Sequence, residues 1–145
     1  MPGIIVGVDG SGHSGAALDW AVREAAVRHA PLAVITVHQG PVEYLGGAVD
    51  QAQDHGLAER SRQATEEAVG RALARAGGAR PESVTVQTVS GTPAEALLAA
   101  ARDADMIVVG SRGAGGFARL LMGSVSSQIT HHAHCPVVVI PAEDR

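Results

Sequence analysis

Short apolar runs rich in β-branched residues alternate along this chain with longer segments whose apolar positions recur every three or four residues. Residues 4–8, Ile-Ile-Val-Gly-Val, read as a strand closed by Asp9-Gly10-Ser11-Gly12. Residues 14–29 follow as a helix, with Ala17, Trp20, Ala21, Glu24 and Ala25 at helical spacing. Pro31 separates it from a second strand that runs from Leu32 to Val37 or His38. Residues 39–55 carry glycines and read as a loop, and residues 57 to about 76 as a longer helix stopped by Gly77-Gly78. A third strand, partly alternating, covers residues 84–89. Thr92-Pro93-Ala94-Glu95 then starts a helix that reaches about Arg102, with Thr92 as N-cap, Pro93 in the first helical position and Glu95 completing a capping box. Residues 106–110 are an unbroken apolar run, the mark of a strand buried on both faces. A helix over about residues 124–132 and a last strand over residues 136–140 finish the pattern. Strands alternating with helices predict an α/β fold, with a parallel sheet covered on both sides and one domain over residues 1–145.

Composition decides how that core is filled. Hydrophobic residues make up 46% of the 145-residue chain and aromatic residues only 2%, so Val, Leu, Ile and Ala must do the packing. A chain of this length buries roughly 70% of its unfolded surface. No apolar run approaches the ~20 residues that span a bilayer, and the first residues lack a basic segment and a cleavage site. The single cysteine, Cys135, excludes an intrachain disulfide framework. These features predict a cytoplasmic protein with no membrane partner. The net charge of −4, with no basic block, argues against nucleic acid. All eleven basic residues are arginine. The absence of lysine excludes a Walker-A lysine, a Schiff-base lysine and a lysine general base.

Two strand-to-helix connections carry the candidate chemistry. After the fourth strand, Val108-Val109-Gly110-Ser111-Arg112-Gly113-Ala114-Gly115-Gly116-Phe117 leads on to Gly123-Ser124-Val125-Ser126-Ser127 at a helix start. Glycine lets the backbone approach a ligand closely. A helix N-terminus offers unpaired N–H groups and the positive end of a dipole, which suits a phosphate chain. Ser124 serves as N-cap or phosphate contact, and one of Ser126 and Ser127 faces away. The other connection is Asp9 to Ser14. In an open α/β sheet ligands sit beyond the carboxyl ends of the strands, where strand order reverses. In a 3-2-1-4-5 order both connections border one crevice.

These residues resemble a known family. The spacing Gly110-x2-Gly113-x9-Gly123-Ser124 is similar to the nucleotide-binding signature of universal stress proteins. The resemblance extends over essentially the whole chain through the Ile-Val-Gly-Val-Asp-Gly-Ser opening, the Gly91-Thr92-Pro93 turn and the His134-Cys135-Pro136-Val137-Val138-Val139 ending. It implies an open five-stranded parallel sheet in the order 3-2-1-4-5 with helices on both faces, Rossmann-like and adenine nucleotide alpha hydrolase-like. It also implies the ATP-binding branch of the family, with ATP accompanied by Mg²⁺. By position, Asp9 would contact adenine and ribose, and the backbone at Val37 and His38 would border adenine. Gly110 and Gly113 would meet ribose and phosphates, and Gly123 with Ser124 would hold the phosphate tail. Val125 and Ser126 complete the same helix start. Many relatives carry a second arginine near Ala114, which leaves Arg112 and Arg119 as the countercharges here.

The resulting expectation is a nucleotide-dependent regulator of the stress response, dimeric through Val137–Ile140, which signals to an unidentified protein partner. Two rivals remain at this point: a slow ATP hydrolase or phosphoryl-transfer enzyme on the same fold, and a dimeric interaction module that binds no nucleotide. The sequence offers no catalytic set, since Asp9 and His13 (in the first loop) are the only bases near the phosphates. His131, His132, His134 and Cys135 lack the paired spacing of a zinc site. They read as a helix C-terminus favourable to its dipole, with Cys135 a small buried apolar residue. Trp20 reads as packing.

Overall fold

The computed structural model describes residues 3–9, 12–38, 51–111 and 123–141. Five strands and four helices alternate: β1 (Ile4–Val8), α1 (Gly12–Arg28), β2 (Pro31–His38), α2 (Gln51–Arg75), β3 (Ser83–Ser90), α3 (Pro93–Ala100), β4 (Met106–Gly110), α4 (Ser124–His132) and β5 (Val137–Ile140). The strands form one sheet in the order β3-β2-β1-β4-β5, every pair parallel. This is the expected α/β fold and strand order.

The two faces of the sheet bury separate cores, as the period of two along each strand requires. On one side Ile4, Val6, Val34 and Val108 pack against Ala17, Leu18, Ala21, Val22 and Ala25 of α1 and against Val69 and Ala72 of α2. Alanine at the contact positions lets α1 lie close to the sheet without aromatic filling, and Trp20 packs at the margin of this cluster as expected. On the other side Ile5, Ile35, Ile107 and Val109 meet Leu97 of α3 and Ile129 of α4. The four apolar residues of β4 are buried, as a central strand demands.

Several boundaries differ from the expectation. The second long helix begins at Gln51 rather than Leu57, so residues 51–55 are helical where a loop was expected. Residues 39–50 lie outside the described residues. The first helix begins at Gly12, which puts His13 in its first turn and not in a loop. Pro31 is the first residue of β2, where a missing N–H costs no ladder bond. Thr92 is the N-cap of α3 and Pro93 follows it, but the capping box does not form. The Thr92 hydroxyl donates instead to the Glu95 carboxylate, at 2.9 Å.

Candidate functional site

The strand order brings the carboxyl ends of β2, β1 and β4 side by side. Val8 pairs with Thr36 and Val6 with Val108. Carried onward, that register sets Asp9 level with Val37 on one side and Ser111 on the other. Asp9 is exposed, directly beyond β1. Its backbone N–H donates to Ser14 Oγ at 3.3 Å, a bond that folds the turn back onto the first turn of α1. Ser14 is itself buried. Val37 is half-buried and packs on the α3/α4 side, and His38 closes the strand.

Gly110 ends β4 in register with Ile140 of β5. Ser111 follows, 8% exposed, and its peptide groups join three elements. The Ser111 N–H donates to Ile140 O at 2.8 Å, and Ser111 O accepts from the Gly123 N–H and from the Ser126 hydroxyl. Gly123 is therefore drawn back beside the end of β4. It is also the N-cap of α4, in extended conformation. Ser124 is thus not the N-cap but the first helical residue, and it is exposed. A glycine cap supplies no side-chain acceptor, and the first N–H groups of a helix have no intrahelical acceptor. The α4 dipole adds positive potential there.

The serines divide by burial. Ser126 is 2% exposed, and its hydroxyl lies 3.2 Å from Ser111 O and 3.1 Å from Gly123 O. Ser127 is half-buried, and its carbonyl accepts from Thr130 Oγ1 at 2.9 Å. Val125 is half-buried in the α3/α4-side core and holds α4 to the sheet. The structure thus gathers Asp9, Val37, Gly110, Gly123, Ser124 and Val125 along one end of the sheet, with Ser126 beneath the surface. Arg112 and Gly113, with Ala114 and Arg119, lie outside the described residues.

Sequence reasoning missed Ser14 and Ser111 as the groups that shape this end. A serine a few residues beyond an Asp in a strand-to-helix turn is a usable signal, since such hydroxyls pair with nearby backbone. The carbonyl of Ser111 leaves no mark in the sequence.

The ion pairs that join described residues to one another lie on α1 and α2: Arg28 with Glu24, Arg62 with Glu59 and Glu66, and Arg75 with Asp19. Arg75 donates to both Asp19 oxygens, and that hydrogen bonding raises its pKa above the ordinary arginine value. Cys135 is half-buried rather than buried. Burial pushes its thiol pKa up, with the Ile107 backbone opposing and Asp105 reinforcing the shift. Among the described residues no three His, Cys, Asp or Glu side chains are grouped to hold a metal. A cavity of about 440 Å³ lies at the opposite, amino end of the strands, lined by Gly3, Ile4, Pro31, Leu32, Ser83 and Ala104 among others. Ligands of open α/β sheets do not sit at that end. No helix among the described residues is long and apolar enough to cross a membrane.

A universal stress protein of Mycobacterium tuberculosis is 38% identical across 98% of this chain and 48% of its own length. The chain thus spans about half the length of the curated relatives it matches. Among solved structures, the universal stress protein UspA from Lactobacillus plantarum superposes with a TM-score of 0.79 at 23% identity, over 96% of this chain and 97% of the other. A universal stress protein in complex with cAMP gives a TM-score of 0.67 at 28% identity, over 96% and 95%. The model of the Universal stress protein family matches residues 2–141, and the chain belongs to that family.

Proposed function

We propose that the chain binds an adenine nucleotide, ATP by preference, across the ends of β2, β1 and β4, and that occupancy of this crevice is its signal in the stress response. The observation that carries the reading is the return of Gly123 to Ser111, which sets the N-terminus of α4 beside the end of β4. Backbone amides and a helix dipole are suited to phosphate when no lysine is available. The cAMP complex of a 28% identical structural relative supports an adenine nucleotide in this fold.

In this reading Asp9 meets adenosine, the Val37 and His38 backbone borders adenine, and Gly110 with Gly113 contacts ribose and phosphates. Gly123, Ser124 and Val125 offer the tail their amides, and Arg112 supplies countercharge. Mg²⁺ would enter with the triphosphate. The protein would act in the cytoplasm as a homodimer. Binding, rather than turnover, is the activity proposed. Phosphoryl transfer needs mainly positioning and charge stabilisation, so slow hydrolysis is compatible with the same site.

The test is equilibrium titration with ATP, ADP, AMP and cyclic AMP of wild type, Asp9→Glu and Gly113→Ala. Wild type should bind and each variant should lose affinity by about tenfold or more, the scale of one or two lost polar contacts. Equal affinities in all three proteins would move the site elsewhere, and no binding by wild type would leave the interaction module as the better reading. Single-turnover measurement on bound ATP separates the binding protein, with a rate near background, from the enzyme.

A further inference from the structure

We propose that Ser126 is a positioning residue, whose hydroxyl clasps the end of β4 to the start of α4 and so sets the direction of the α4 amides. The inference rests on the nucleotide reading above and deepens it. Ser126 Oγ is 3.2 Å from Ser111 O and 3.1 Å from Gly123 O, so its one proton is shared between two carbonyls. Ser111 O also accepts from the Gly123 N–H. Two donors from different residues thus converge on one carbonyl, which fixes the direction of α4 as well as its distance from β4. Ser111 in turn is anchored to β5 through Ile140 O at 2.8 Å.

With 2% exposure and its donor turned inward, Ser126 acts beneath the crevice and not as a ligand contact. The exposed Ser124, two residues earlier in the same turn, is placed for contact. Among the described residues, removing the Ser126 hydroxyl leaves the Gly123 N–H as the tie from this turn to Ser111 O. The carbonyls of Ser111 and Gly123 would each lose a buried donor. An α4 start held at one point can turn about it, and amides aimed at phosphate lose their preorganisation.

A neighbouring hydroxyl supplies the control. Thr130 Oγ1 donates to Ser126 O at 2.7 Å and to Ser127 O at 2.9 Å. Thr130→Ala therefore removes comparable hydroxyl bonds from the same helix without touching Ser111. The experiment measures ATP affinity by titration calorimetry and Gly123 amide exchange by NMR in the nucleotide-free protein, for wild type, Ser126→Ala and Thr130→Ala.

Ser126→Ala should weaken ATP binding by about tenfold and speed Gly123 exchange by a similar factor. Thr130→Ala should leave both within about twofold of wild type. The clasp is overturned if Ser126→Ala binds ATP like wild type, or if Thr130→Ala loses as much affinity, since that would be general loosening of α4. If wild type binds no adenine nucleotide, the functional reading fails, and exchange alone judges the clasp: faster Gly123 exchange in Ser126→Ala upholds it, unchanged exchange overturns it. Should Ser126→Ala fail to fold, Ser126→Cys carries the same comparison with a side chain of similar shape and a weak donor.

Discussion

Gly7 shows how one position near the crevice depends on a partner far along the chain. A Cβ built there would lie 2.8 Å from Leu97 Cδ1 and 3.1 Å from Cδ2. Leu97 is 4% exposed on α3, so it has little room to withdraw. The glycine lets α3 come down onto β1 just below Asp9. Gly7→Ala should therefore overpack this contact and cost about 1–3 kcal/mol in urea unfolding. Because the methyl collides with one side chain, Gly7→Ala with Leu97→Ala should lose less than the two single changes added together, by on the order of 1 kcal/mol. Strict additivity would remove Leu97 as the cause. The sequence places Gly7 in a strand, yet nothing local to Ile-Ile-Val-Gly-Val announces the helix it must admit. The serines after Gly123 pose the same difficulty. As letters Ser124, Ser126 and Ser127 are equivalent hydroxyls, and only the position of β4 makes Ser126 a buried donor and leaves Ser124 outside.

The helix ends reveal where local chemistry suffices and where it does not. The α2 helix is followed by Gly77 at φ +73°, the left-handed residue that commonly stops a helix. Its companion Gly78 made that stop readable from the sequence. The end of α1 uses the same motif with a costlier residue. His29 N–H donates to Ala26 O at 3.2 Å and Ala30 N–H to Ala25 O at 2.9 Å, with His29 at φ +54°. These are the paired bonds of a Schellman cap, placed on a side chain that disfavours left-handed backbone. His29 is exposed, so its imidazole gives up no core packing. His29→Gly should stabilise the fold by about 1 kcal/mol, raising the melting midpoint by roughly 2–4 °C for a chain of this size. A lower midpoint would mean that the imidazole itself supports α1. The missed start of α2 has the opposite cause. Gln51-Ala52-Gln53-Asp54-His55-Gly56 has no apolar repeat to signal a helix. Without that repeat the stretch carries no helical period to read. Among the described side chains of α2 the buried ones are Thr65, Val69 and Ala72.

Strand order was legible through the family resemblance, and the observed β3-β2-β1-β4-β5 sheet brings the two chemically unusual connections to one end. The same order leaves β3 and β5 as the edges among the described residues, and the two edges differ in character. On β3, Ser83, Thr85 and Gln87 are exposed polar positions that alternate with the packed Val84 and Val86. On β5, Val137, Val138, Val139 and Ile140 are all half-buried, an apolar strand incompletely covered on both faces. An edge of that kind is an association site unless something pairs with it. A second copy across a two-fold axis is the simplest occupant, and it is the dimer proposed above. The backbone suggests how to test it. Pro136 O accepts from Ile107 of β4, and Ile140 O from Ser111 just beyond it. Strand alternation then turns the peptide groups of Val137 and Val139 away from β4, toward the open edge. Val139→Pro removes an outward N–H while sparing the β4·β5 ladder, as edge strands permit. Sedimentation should find wild type dimeric at micromolar concentration and Val139→Pro monomeric, with an unchanged circular dichroism spectrum. A monomeric wild type, or a variant that stays dimeric, would take the β5 edge out of the assembly. Since Ile140 O also anchors Ser111, a β5 dimer would brace the floor of the proposed nucleotide crevice, and on that proposal the monomeric variant should bind ATP more weakly than the dimer.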